Sequence, residues 1–187
     1  MRRSILIAVI AGLCLGGSIP LVYDGWRSVA NDRKLATPHH PLWTEAEWPF
    51  PMDEWGKGKA FECAATDCGV GVKLYIRAKL GFCNCTTGVA DDEELDRVAD
   101  LRFIGEPRLA SPAGSAITVG RMKGRSRVHT TARSRGSAVA IAFNDRCDVV
   151  VATALVAHPD ATALEPTVIA FLNSETIVHW VEITLGL

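Results

Sequence analysis

The stretch that decides the fold runs from Phe61 to Cys85, FECAATDCGVGVKLYIRAKLGFCNC, and four of the chain's six cysteines bracket one alternating apolar run within it. Val70, Val72, Leu74, Ile76, Ala78, Leu80 and Phe82 take the even positions, while Lys73, Arg77 and Lys79 are odd. A repeat of two sends successive side chains to opposite faces, so the run predicts a β-strand with one buried face.

That strand constrains the cysteines by reach. Cys68 and Cys83 are 15 residues apart, which is about 50 Å of extended chain at ~3.3 Å per residue. Bridged Cα atoms lie within about 7 Å of each other. Folding the run back would need a turn between Val72 and Leu80, where there is no Gly, Pro, Asn or Asp. Cys68 is therefore expected to bond Cys63. The same reach counts against a zinc ion held by all four thiolates. A bridge directly between Cys83 and Cys85 would be strained. One of these two should pair with Cys147 and the other stay free, either as a buried inert thiol or as part of a C-x-C pair offering sulfur to copper or to redox chemistry. No C-x-x-C motif is present, which lowers thioredoxin-like electron transfer.

These pairings presuppose an oxidising compartment, where disulfide bonding is the default fate of cysteines, and the N-terminus supplies the reason to expect one. Arg2 and Arg3 precede Ile5 to Tyr23, which holds no charged residue. Residues 1–23 read as a signal peptide or an uncleaved membrane anchor, which places the rest in the periplasm or on the extracytoplasmic face of the cell envelope. Residues 24–59 carry Trp26, Trp43, Trp48 and Trp55 among prolines without helical or alternating period, and read as an extended lead-in whose rings cover the domain. Trp43, Trp48, Phe50 and Trp55 could alternatively form an aromatic platform for a ligand.

Residues 60–187 read as a single domain, and 48% hydrophobic residues are enough for a sizeable core. Thr87 to Leu101 has helical spacing, with Asp91, Asp92, Glu93 and Glu94 where a helix dipole favours carboxylates. Runs with β character follow at Ala116 to Met122, Val128 to Arg133, Ser137 to Phe143 and Cys147 to Val156, with Asn144-Asp145 as a hairpin tip. Glu165-Pro166 has the form of a helix start. Ser174 can cap a second helix over 175–185, although its β-branched residues leave helix and strand open there. The fold class is α+β: a mainly antiparallel sheet, an acidic helix after the first long strand, and C-terminal helical cover.

Function is less legible. A net charge of -1 argues against nucleic acid as a partner. Local charge is uneven: Arg121, Lys123, Arg125, Arg127 and His129 fall on one face of an extended chain. They form either an anion-binding strip for lipid headgroups or an acidic envelope partner, or a face paired with the acidic helix. No cofactor is expected, with copper or zinc at Cys83 and Cys85 as the alternative. Cys147 with His129, His158 or His179 supplies the parts of a hydrolase nucleophile and base, without any local signature. His39-His40 reads as loop. The leading expectation is a non-enzymatic, membrane-tethered binding or accessory domain; a periplasmic thiol-redox or copper-handling protein comes second, and a hydrolase third.

Overall fold

A computed structural model describes residues 41–104, 107–110, 113–131, 136–158 and 160–187. The N-terminal segment, Trp26 and His39-His40 lie outside the described residues. The strands are β1 (Trp43–Ala46), β2 (Lys59–Cys63), β3 (Val72–Lys79), β4 (Pro107–Ala110), β5 (Ser115–Val119), β6 (Met122–Thr131), β7 (Ser137–Asp145) and β8 (Asp148–Val156). They form one antiparallel sheet in the order β1-β2-β3-β8-β7-β6-β4, with β5 also pairing β6. The helices are α1 (Ala65–Cys68), α2 (Asp92–Val98), α3 (Glu165–Leu172) and α4 (Glu175–Leu185). This is the α+β architecture expected, with an acidic helix after the long strand and helices at the C-terminus.

Two meanders meet at a seam. β1-β2-β3 and β6-β7-β8 are each consecutive antiparallel strands, and among the described residues the ladder that joins the two sets is β3 against β8. On the first face, Leu74, Ile76, Ile141, Phe143, Val150 and Ala152 are buried beneath Val168 and Leu172 of α3 and Ile177 and Val181 of α4. On the second face, Ala140, Ala142, Val149 and Val151 lie beneath Leu95 and Val98 of α2. Between their polar ends, β7 from Ala138 to Phe143 and β8 from Val149 to Val156 are apolar apart from Thr153, as strands covered on both faces tend to be.

Several expectations are corrected. β3 does not have one buried face only: Arg77 and Lys79 are buried as well, because carboxylates on the covering segments neutralise them. The basic stretch forms one ten-residue strand from Met122, and the turn before it is at Gly120-Arg121. The β7–β8 turn is at Arg146-Cys147 rather than Asn144-Asp145, since Asp145 still pairs with Asp148. Asn144 supports that turn from the strand end, its Nδ2 donating to the Arg146 carbonyl at 2.9 Å. Residues 175–185 are helical, with Ser174 at the cap position and Gly186 ending the helix at φ 70°. The lead-in contributes β1 as an edge strand. Among the described residues no helix is long and apolar enough to cross a membrane.

Candidate functional site

Cross-strand partners in an antiparallel sheet share a face, so the register lays out the second face in rows. One row runs Thr44, Glu62, Lys73, Leu155, Ala138, His129; the next runs Ala46, Ala60, Tyr75, Thr153, Ala140, Arg127. Helix α2 covers the far end of this face. The rings of Trp48 and Phe50 meet Tyr75 edge-on, and Phe103 packs against both, stacked on Phe50 at 3.9 Å between centroids.

Where this cover stops, a cleft of about 800 Å³ opens over the first row. Thr44, Glu62, Lys73 and Leu155 line it together with Phe103 and Ser137, and Cys63 of the Cys63–Cys68 disulfide borders it. Its polar side chains are held by one another or by backbone. Lys73 Nζ is 3.2 Å from a Glu62 carboxylate oxygen, Thr44 Oγ1 donates to the Glu62 carbonyl at 3.3 Å, and Ser137 Oγ donates to the His158 carbonyl at 2.7 Å. The surface left to a ligand is mostly aliphatic and aromatic. Both the size and the character match a small-molecule pocket.

A buried charge cluster lies beside this aromatic group. Arg77 donates from Nε and Nη2 to the two Asp100 oxygens, each at 2.6 Å, and from Nη1 to Asp53 at 2.7 Å. Lys79 Nζ is 2.9 Å from Asp100 and donates to the Val98 carbonyl at 2.6 Å. Arg102 closes on the other Asp53 oxygen. Desolvation pushes the Lys79 ammonium below its ordinary value despite Asp100. Desolvation acts the same way on Arg77, but the bonds to Asp100 and Asp53 outweigh it and raise that group. For Asp53 desolvation pushes up, yet the Arg77 and Trp55 hydrogen bonds hold it below the usual carboxylate range. The partners meet each other's valences, so the cluster fixes the segments that carry Asp53 and Asp100 to β3. Sequence reading missed it; the signal was basic residues alternating in a strand that is followed by a helix ending near an aspartate.

The basic strip meets the acidic helix. Arg125 bonds Asp92 at 2.8 Å through Nε, and Arg127 bonds Asp96 at 2.8 Å. His129 is buried, its Nε2 3.6 Å from Asp96, and burial pushes it below its ordinary value. Arg121, in the β5–β6 turn, and Lys123, near the start of β6, are exposed. The four aromatic residues read as a platform are divided among three places: Trp43 stacks on Phe171 at 4.6 Å, Trp48 and Phe50 join Tyr75, and Trp55 meets Phe82 at 4.7 Å.

Cys63 is bonded to Cys68 and Cys85 to Cys147, and Cys83 is the free, buried thiol. With Cys147 in a disulfide, its sulfur offers no thiolate to a hydrolase mechanism. With Cys85 bonded too, Cys83 and Cys85 do not present two thiolates to copper in this state. Among the described residues, no group of three or more His, Cys, Asp or Glu is placed to hold a metal. Comparison of the chain with protein-family models, curated proteins and solved structures gives no match.

Proposed function

We propose that this protein is an exported, disulfide-stabilised binding domain, brought to the extracytoplasmic side of a membrane by residues 1–23, with the cleft over Leu155 as the seat of a small apolar or amphipathic molecule. The observation that carries the reading is the cleft itself: it is open, mostly apolar, and its polar side chains already have partners. Such walls favour a ligand with a hydrophobic body. The disulfides support the compartment, because reducing cytosol does not maintain them. The exposed Glu62–Lys73 pair at the rim adds little stability, so its charges are available to orient a polar end of the ligand.

The test uses an anilinonaphthalene sulfonate probe with the folded protein. The wild type should bind it, and Leu155→Arg should weaken binding at least tenfold while leaving the circular dichroism unchanged. Equal binding by both proteins refutes the cleft as the seat. The compartment is tested separately, by fractionating cells that express the full chain: the protein should appear in the envelope with two disulfides by intact mass. An anionic partner would meet Arg121 and Lys123, since Arg125 and Arg127 are already neutralised by α2.

A further inference from the structure

Three cysteines come from the two segments that meet where β3 ends and β8 begins. The Cys83 N–H donates to the Cys147 carbonyl at 3.1 Å, and Cys83 Sγ donates to the Arg146 carbonyl at 3.2 Å. Cys147 is at the same time bonded to Cys85, with Cα atoms 4.1 Å apart. The thiol is buried at 6% exposure, whereas Cys85 is exposed. The reduced sulfur is thus inside the protein, and the oxidised pair reaches the surface.

We propose that Cys83, Cys85 and Cys147 form a thiol–disulfide exchange site that moves a thiol from the core to the surface. The Cys83 thiolate attacks Cys147 Sγ; the Cys83–Cys147 bond forms, the Cys85–Cys147 bond breaks, and its electron pair leaves on Cys85, which takes up the proton released by Cys83. The step is redox-neutral and needs no oxidant. Attack on Cys147 is favoured over attack on Cys85, because residues two apart would form a strained bridge. The backbone hydrogen bond from Cys83 to Cys147 and the Cys83 Sγ bond to the neighbouring Arg146 carbonyl hold the thiol beside the segment that carries Cys147. Cys85 is also the better leaving group, since water solvates its thiolate. The surface thiolate then attacks an external disulfide on a partner molecule, forming a mixed disulfide and releasing the partner's thiolate.

Burial raises the Cys83 thiol above its ordinary value, with Glu94 and Asp148 acting in the same direction and Arg97 against them. Exchange is therefore slow near neutrality, and it quickens as the thiolate fraction grows. This site is independent of the cleft, and neither proposal needs the other.

The test labels the native, oxidised full chain with N-ethylmaleimide in a Cys14→Ser background and maps the products. The label is expected on Cys85 with a Cys83–Cys147 bond in the same molecule, forming about ten times faster per pH unit below the thiol pKa. Cys83→Ser should abolish labelling. Cys85→Ser should still show two disulfides, the second being Cys83–Cys147. Label on Cys83 with Cys85–Cys147 intact, no label after a day at alkaline pH, or two free thiols in Cys85→Ser would each overturn the proposal.

Discussion

Replacing Asp100 by asparagine keeps the shape of the side chain and removes the charge that neutralises two buried cations. Asp100 is 4% exposed, accepts two 2.6 Å bonds from Arg77, and lies 2.9 Å from Lys79. Taking one partner from a buried ion pair costs about 3–5 kcal/mol. Two contacts survive the substitution, Arg77 to Asp53 and Lys79 to the Val98 carbonyl, so the expected loss is at the lower end, about 3 kcal/mol. For a protein of this size that lowers Tm by about 6–12 °C. The assay is equilibrium urea unfolding, with the m-value as a check that compactness is unchanged. The informative partner is the triple variant Arg77→Met, Lys79→Met, Asp100→Leu, which replaces the charges by apolar volume and should regain most of the loss. A loss below about 1 kcal/mol for Asp100→Asn, together with a larger loss for the triple variant, would refute electrostatic compensation as the reason these residues can be buried.

The two disulfides should differ in worth. The Cys63–Cys68 bond spans 5 residues and the Cys85–Cys147 bond 62; chain entropy gives about 2 and about 4 kcal/mol respectively, checked by urea unfolding of the paired Cys→Ser variants. Gly124→Ala should cost at least about 2 kcal/mol in the same assay, because its Cβ would lie 2.0 Å from the Ala142 carbonyl oxygen, and backbone in the middle of a sheet cannot move aside. Burial holds His129 below its ordinary 6.5, opposed by Asp96 and Asp92 and assisted by Arg127. The unfolded chain therefore binds a proton that the folded one does not as pH drops below about 6.5, so this contribution is complete above that pH and is lost as pH falls toward the folded value. Unfolding free energies at pH 7.5 and 5.5 should differ less in His129→Gln than in the wild type; an equal difference rules out His129 as the cause.

Period and reach were the legible parts of this sequence. Alternation from Val70 to Phe82 located β3, and the distance that a strand must span assigned Cys63 to Cys68 and left Cys147 for one of the C-x-C pair. The acidic helix could be read because Asp91 to Glu94 stand in a first turn, and the Asp91 side chain does accept from the Glu94 N–H at 2.8 Å. The burial of Arg77 could not be read, because it depends on Asp53 and Asp100, which stand 24 residues before and 23 residues after it. The β7–β8 turn shifted for a related reason: the strand register carries pairing to Asp145↔Asp148, and Arg146 takes φ 51° to close it. Choosing Cys85 over Cys83 as the partner of Cys147 also depends on tertiary placement. The cleft had no sequence signal, since it is defined by where the covering helix and rings end.

The Cys85–Cys147 bond begins just past the end of β3 and ends just before β8, the two strands of the seam. Between these cysteines lie α2 and the whole of β4 to β7, so the bond encloses the middle of the chain in a covalent ring. A protease cut at any exposed point of that ring would leave one molecule, its two halves still threaded into the same sheet. Such a nicked protein would run at full mass until reduced, and only then fall into two fragments.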